Sequence, residues 1–187
     1  MLVNLTRLDL TKPTDLCCIM GKWKSDKGNE NITESHHNYT IIYNELFKDI
    51  KNKNLNVFEL GIGTTNQNLI SAMPVNGYAG ASLRGWSEYF KNSNIYGADI
   101  DKDIIFETDR IKTFFCDQRN PEIIKEMWSN PLLQNNMDII IGPLYSKFFQ
   151  MLCKKYGKDT SKVLIAPLST NTKAINKYPA VYQIAPS

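Results

Sequence analysis

Four short apolar runs, each stopped by a glycine or an acid, constrain the fold of this 187-residue chain more than any other feature. Asn56-Val-Phe-Glu-Leu60 runs into Gly61-Ile-Gly63, residues 95–98 into Asp99, residues 111–116 into Asp117, and residues 138–141 into Gly142. Runs this short, without regular polar alternation and bounded by turn residues, have the pattern of strands buried on both faces. Two further runs, residues 163–166 and 181–184, have the same character.

Helical patterns separate them. Tyr39, Ile42, Tyr43, Leu46, Phe47 and Ile50 recur at three- and four-residue spacing, predicting a helix that runs to about Lys51. Residues 81–90 predict a second helix with Leu83, Trp86 and Phe90 inward, and residues 144–156 another, stopped at Gly157. Asn120 followed by Pro121 is an N-cap with proline in the first helical position, so a helix is expected over residues 121–128. Strands alternating with helices predict an α/β fold: a Rossmann-like, doubly wound, mostly parallel sheet with helices on both faces. The expected organisation is an N-terminal cap and first helix over residues 1–56, a core over 57–141, and an α/β tail over 142–187 that completes the sheet.

Composition excludes several classes. A hydrophobic content of 42% with 22% charged residues is that of a globular domain. A net charge of +3 without a basic stripe argues against a nucleic-acid binder. The N-terminal MLVNLTRLDL lacks the apolar core of a signal peptide, and no window approaches a membrane span, so no membrane partner is expected. Cys17, Cys18, Cys116 and Cys153 form neither a CxxC pair nor a disulfide framework, which fits a reducing cytoplasm.

The strand ends carry the chemistry. Glycines after the first strand let the backbone turn tightly and approach a ligand, and the carboxyl ends of strands are where open α/β sheets bind ligands. An ionised Asp99 at the next strand end accepts from both hydroxyls of a ribose, and Asp117 at the third is placed to accept from an adenine amine. A dinucleotide fingerprint needs a third glycine at position 66, where Asn stands, and an acid about 20 residues on, much nearer than Asp99. The expected ligand is therefore a nucleoside other than a dinucleotide.

Lys24-Ser-Asp-Lys-Gly28, His37-Asn-Tyr-Thr40 with Tyr43, Phe58-Glu-Leu-Gly-Ile-Gly63, Gly80-Ala-Ser-Leu-Arg84 with Trp86, Tyr96-Gly-Ala-Asp-Ile-Asp101 and Asp117-Gln118 occur in one order. In this the chain resembles the macrolide-sugar O-methyltransferases of the mycinamicin and macrocin type, class I enzymes that use S-adenosylmethionine (SAM). The resemblance covers roughly residues 20–141. It implies SAM as cofactor, with Glu59, Gly61 and Gly63 along its methionine side, Ser82 and Arg84 near a closing loop, Asp99 at the ribose, and Asp117 and Gln118 at the adenine. Ser25 to Lys27 and His37 to Thr40, including Tyr39 and Thr40, would belong to the segment that covers the cofactor, while His36 and His37 read equally as solvated loop residues. A sugar-containing small molecule would be the methyl acceptor.

One departure bears on catalysis. Members of that family continue the fourth strand into Asp-Asp-Gly-x-His, which supplies a Mg²⁺ ligand and the base, whereas here residues 142–146 are Gly-Pro-Leu-Tyr-Ser. Beyond Asp138 the chain has one acid, Asp159, and no histidine. A hydroxyl nucleophile needs a base or a metal to be methylated at useful rates, so SAM binding without a Mg²⁺ site and with little or no turnover is expected.

Composition also shifts near Ile139: residues 139–187 hold seven Lys against Asp159, a net of +6, which leaves −3 on residues 1–138 out of the total of +3. Ile140-Ile-Gly-Pro-Leu-Tyr-Ser146, Val163-Leu-Ile-Ala-Pro-Leu-Ser169 and Tyr182-Gln-Ile-Ala-Pro-Ser187 resemble strands of type 1 periplasmic-binding-protein-like domains. Three readings stay open: the cofactor half of a SAM-dependent methyltransferase, a non-catalytic hybrid or truncated chain joined near residues 138–142, and a small-molecule-binding domain whose ligand the tail dictates.

Overall fold

A computed structural model describes residues 8–31, 39–69, 72–134, 136–142, 146–166 and 177–183, with the side chains of 146–148 and 183 set aside. The chain forms two compact units, one from Met1–Asn54 with Gly63–Ser93 and one from Leu55–Ile62 with Asn94–Ser187.

The second unit is the sheet. Its strands are β1 (Asn56–Leu60), β2 (Asn94–Asp99), β3 (Ile111–Phe115), β4 (Ile139–Ile141), β5 (Val163–Ala166) and β6 (Val181–Gln183), in the spatial order β3-β2-β1-β4-β5-β6. All five neighbouring pairs are parallel. This is the expected Rossmann-like, doubly wound α/β fold, and the strand order reverses at β1 and β4. In a parallel sheet each strand's carboxyl end lies beside its neighbour's, so Leu60 pairs with Ala98 and Asp99 with Phe115.

Strand periodicity sends alternate residues to one core. Phe58, Leu60, Tyr96, Ala98, Ile140, Leu164 and Ala166 pack with Ile124, Met127 and Trp128 of α4 (Pro121–Trp128) and with Phe149, Leu152, Cys153 and Tyr156 of α5 (Ser146–Tyr156). Trp128 sets its edge on Phe58 at a centroid distance of 4.9 Å, and its indole N–H donates to the Tyr156 hydroxyl at 3.1 Å, linking α4 to α5. Each such side chain stabilises the fold by about 1.5–3 kcal/mol through burial alone. The opposite strand positions Val57, Ile95, Ile139, Ile141 and Ile165 are buried as well, as runs without polar alternation require. The α4 boundaries match the sequence pattern because local bonds fix them: Asn120 Oδ1 accepts from the N–H of Glu122 at 3.0 Å and of Ile123 at 3.4 Å, ahead of Pro121.

The first unit is helical. It contains α1 (Asp15–Lys22), α2 (Thr40–Phe47) and α3 (Ala81–Tyr89), with α1 packed on both others. Tyr43, Phe47, Trp86 and Phe90 form its centre, with Trp86 edge-on to Tyr43 at 5.5 Å and to Phe47 at 6.0 Å. Helix α2 ends at Phe47 rather than Lys51, giving way to turns, and it buries Ile41 fully while Ile42 and Leu46 are half-buried. Helix α1 has no counterpart among the predicted elements. Its eight residues carry only a short apolar stripe, Leu16, Cys17 and Met20, which is less than a periodicity window can register. Its signal was the cap: Thr14 accepts from the Cys17 N–H, and Asp15 sits in the first turn. Among the described residues no helix is long and apolar enough to cross a membrane.

Candidate functional site

The carboxyl ends of β1, β2 and β3 bring together most of the acids and glycines singled out in the second unit. Gly61 follows β1 at φ +85°, its N–H donating to the Ala98 carbonyl at 2.8 Å. Among the described residues a methyl group added there would meet nothing within 4 Å, so the backbone faces open space at the point where the strand order reverses. Open space beside a left-handed glycine, at the switch point of a parallel sheet, is where a ligand can approach main-chain atoms closely.

Asp99, at the end of β2, is 6% exposed. Its Oδ2 accepts from the Ile62 N–H at 2.8 Å and its Oδ1 from the Asp101 N–H at 3.0 Å. Burial pushes its pKa above the ordinary carboxylate range, partly offset by backbone N–H donors from Asp101, Ile62 and Ile100, while the charge of Asp101 adds to the rise. An ionised carboxylate has about four acceptor positions, so these three backbone donors orient the group and leave about one position, enough for a single ribose hydroxyl. Asp101 is buried too, and its Oδ1 accepts from the Asp103 N–H at 3.1 Å, capping the 3-10 turn Lys102–Ile104. Glu59, within β1, is 1% exposed.

Beyond β3, Asp117 makes a fork with Arg119: Oδ1 accepts from Nε at 2.9 Å and from the backbone N–H at 3.0 Å, and Oδ2 accepts from a terminal guanidinium nitrogen at 2.8 Å. The guanidinium holds the Asp117 carboxyl below the usual carboxylate range. Gln118 is half-buried between them in sequence. Arg119 did not stand out among the sequence candidates, and its signal was the two-residue spacing to Asp117. Cys116 is buried, and burial pushes its thiol up to about 12, away from the range of an activated cysteine.

The fourth strand closes differently. Gly142 has φ +92°, and a Cβ there would lie 2.8 Å from the Leu60 carbonyl oxygen. Asp138 stands at the other end of β4, where its Oδ2 accepts from the Asn56 N–H at 2.9 Å and its Oδ1 from Lys162 Nζ at 3.1 Å. It is thus a strap across the amino ends of β1, β4 and β5, away from Gly61 and Asp99. Among the described residues no three His, Cys, Asp or Glu side chains are grouped closely enough to hold a metal ion.

In the first unit, Gly63 has φ +87°, and a Cβ there would meet Met73 Sδ at 2.6 Å. The loop folds on itself, with the Met73 N–H donating to the Thr64 carbonyl at 2.7 Å and Gln67 Nε2 to the Met73 carbonyl at 2.8 Å. Helix α3 begins after Gly80 at φ +69°, without a side-chain cap. Ser82 in its first turn is 2% exposed, and its hydroxyl has no hydrogen-bond partner among the described residues. Arg84 folds back so that its guanidinium lies 4.9 Å from the Tyr78 ring centroid and donates to the Ala79 and Gly80 carbonyls at 3.5 and 3.4 Å. Tyr39 meets the segment Ser25 to Lys27, its N–H donating to the Lys27 carbonyl at 3.1 Å. Thr40 is fully buried against Gly28, with its Oγ1 3.1 Å from Cys17 Sγ. His36 and His37 lie outside the described residues.

No protein-family model matches the chain. Three curated proteins share about half of it. The 8-demethyl-8-alpha-L-rhamnosyl tetracenomycin-C 2'-O-methyltransferase of Streptomyces olivaceus is 30% identical over 91 residues, covering 49% of this chain and 22% of that protein. The demethylmacrocin O-methyltransferase of Streptomyces fradiae is 33% identical over 93 residues, 50% of this chain and 22% of that protein. The mycinamicin VI 2''-O-methyltransferase of Micromonospora griseorubida is 35% identical over 89 residues, 47% of this chain and 20% of that protein. Among solved structures, the MycE methyltransferase from the mycinamycin biosynthetic pathway, in complex with Mg, SAH and mycinamycin VI, aligns over 92% of this chain and 37% of that chain, with 22% identity and a TM-score of 0.47. The same methyltransferase with Mg and SAH gives a TM-score of 0.47 over 38% of its chain. The match therefore spans about a fifth of the curated relatives' length, 20–22%, and makes this a methyltransferase-like chain over that stretch. None of these relatives supports the periplasmic-binding-protein-like resemblance of residues 139–187.

Proposed function

We propose that this chain binds SAM, or its demethylated product S-adenosylhomocysteine (SAH), at the carboxyl ends of β1, β2 and β3, as the cofactor-binding part of a sugar O-methyltransferase. The observation that carries this reading is the set of three neighbouring strand ends: open backbone at Gly61, a buried and oriented carboxylate at Asp99, and a second carboxylate at Asp117. Asp99 takes the ribose and Asp117 the adenine amine, while Glu59 and Gly61 lie along the methionine side, to which the family resemblance also assigns Gly63. Gln118 completes the set in this unit, and Ser82, Arg84, Tyr39 and Thr40 of the first unit are residues that the family resemblance assigns to the same cofactor. The orphan hydroxyl of Ser82 is consistent with a polar ligand atom, because a buried hydroxyl left unpaired costs about 1–3 kcal/mol. When bound, SAM supplies an electrophilic methyl group, and the relatives are named for rhamnosyl tetracenomycin-C, demethylmacrocin and mycinamicin VI, from which we take a sugar-containing small molecule as the acceptor. The four cysteines are free thiols, which fits a reducing cytoplasm.

Binding and turnover come apart in this reading. Relatives place a metal-binding acid where Gly142 stands, and the backbone at Gly142 disfavours any side chain. Asp138 is committed to Asn56 and Lys162 at the far end of its strand. Mg²⁺, which accompanies SAH in the solved MycE complexes, usually takes one or two carboxylates. This chain is therefore expected to bind cofactor with little or no methyl transfer. Calorimetry with SAH tests the first half: absence of heat at millimolar ligand sinks the SAM reading and favours a binding domain for another small molecule. Mg²⁺-dependent methylation of a sugar-containing acceptor by the purified chain would overturn the second half.

A further inference from the structure

We propose that Arg119 is a positioning residue for adenine recognition, aiming the single remaining acceptor position of Asp117 at an exocyclic amine. The inference rests on the SAM reading above and extends it to a residue outside that binding set.

An ionised carboxylate offers about four acceptor positions. Asp117 Oδ1 takes two donors from Arg119, the backbone N–H at 3.0 Å and Nε at 2.9 Å, and Oδ2 takes one, the terminal nitrogen at 2.8 Å. The guanidinium fork is planar and rigid, so two parallel bonds fix the rotation of the carboxylate about its last torsion. The backbone N–H then fills the outer side of Oδ1. What remains is the outer side of Oδ2, one acceptor with a fixed direction. A single N–H of adenine's 6-amino group fits it, while a 6-oxo purine presents an oxygen to an oxygen.

The pair adds little to folding. Its side chains are 51% and 21% exposed, and exposed ion pairs are worth roughly 0–1 kcal/mol, even where the fork geometry is good. Asp117 and Arg119 also lie in the turn that leads into α4, where the Asn120 N–H donates to the Asp117 carbonyl at 3.0 Å and Asn120 supplies the helix cap. The helix start is thus secured without the Arg119 side chain. A fork that stabilises the fold so little, on the acid at the third strand end, points to orientation of that acid as its use. The same guanidinium keeps Asp117 ionised to a lower pH than an isolated aspartate, so that it acts only as an acceptor.

The test is calorimetry of the full chain with SAH and with S-inosylhomocysteine, its 6-oxo analogue, on wild type, Arg119→Met, Arg119→Lys and Asp117→Asn. Wild type is expected to prefer SAH by roughly 10-fold or more, since a site that hydrogen-bonds a substrate group rejects the analogue lacking it. Arg119→Met should retain the wild-type melting temperature and bind SAH, with the preference reduced to within roughly threefold, the loss of one aimed hydrogen bond. Arg119→Lys, which keeps the charge without the fork, should behave like Arg119→Met rather than like wild type, and Asp117→Asn should lose the preference too. An unchanged preference in Arg119→Met or in Asp117→Asn overturns the proposal. So does an equal weakening of both ligands in Arg119→Met, which would mean a general charge effect, or full rescue by lysine. Failure of wild type to bind SAH removes the SAM reading and this inference together, whereas SAH binding without discrimination removes this inference alone.

Discussion

The carboxylate of Asp99 holds the backbone of Ile62: Oδ2 accepts from that N–H at 2.8 Å, joining the end of β2 to the glycine turn after β1, 37 residues earlier. The side chain expected to meet a ribose also sets the turn that faces the rest of the ligand.

This dual role predicts a pH signature. The pKa of Asp99 is raised above 3.8 by burial, so the folded chain binds that proton more tightly than the unfolded one. The stabilisation this provides is complete below the unfolded pKa and is lost as pH rises through the raised value. Wild type should therefore lose stability relative to Asp99→Asn as pH rises from about 4 towards neutrality. Urea midpoints of both proteins across that range would show it, and a pH-independent difference would refute it. Asp99→Ala should weaken SAH by at least ~1.5 kcal/mol, as expected for a hydrogen bond to a charged group. Unchanged affinity would remove Asp99 from the site.

The two glycines after β1 should respond differently. Gly61→Ala meets no atom within 4 Å but must hold φ +85°, so a stability loss of about 1–2 kcal/mol is expected. Its methyl enters the open space proposed for cofactor, so SAH affinity should fall roughly tenfold or more beyond what unfolding explains. Gly63→Ala adds a clash with the Met73 thioether, whose flexible end can give, and should lower stability with a smaller effect on binding. Equal binding losses in the two variants would argue against Gly61 as the point of approach.

Introducing an acid at the end of β4 should not create a metal site. Gly142→Asp must adopt φ +92° with Cβ 2.8 Å from the Leu60 carbonyl, so it should cost about 1–3 kcal/mol from backbone strain alone. Thermal melts with and without Mg²⁺ should show a lower midpoint that the ion does not recover. Recovery by Mg²⁺ would mean the strand end re-forms around a cation.

The α4–α5 link gives a measure of the core. Trp128→Phe deletes the donor to Tyr156 and should cost about 1–2 kcal/mol, whereas Trp128→Ala removes the ring that packs on Phe58 and should cost about 3–5 kcal/mol. Equal costs in chemical denaturation would mean that the indole hydrogen bond, not the packing, dominates.

The sequence by itself determined what local interactions decide. An apolar run stopped by glycine set β1 at Asn56–Leu60, a cap and a proline set α4 at Pro121–Trp128, and the run at Val163–Ala166 set β5, each with the boundaries observed. Alternating strands and helices made the sheet parallel, which put Asp99 and Asp117 at carboxyl ends, and the pairing of β2 with β3 made those ends adjacent. Tertiary structure decided what depends on partners far along the chain. Helix α1 owes its place to packing on α2 and α3, because its own eight residues hold too short an apolar stripe to signal a helix. Ile41 is buried instead of Ile42 because of what α2 meets, not because of its period. Gly142 resists a side chain because the Leu60 carbonyl, more than eighty positions earlier, lies against it. The sequence places Asp138 beside the run of β4 without saying what it meets, and strand direction puts it at the amino end, bonded to Asn56 and Lys162. Periodicity and capping act over a few residues and leave a mark in the sequence, whereas a contact between distant backbone atoms leaves none until the sheet is assembled.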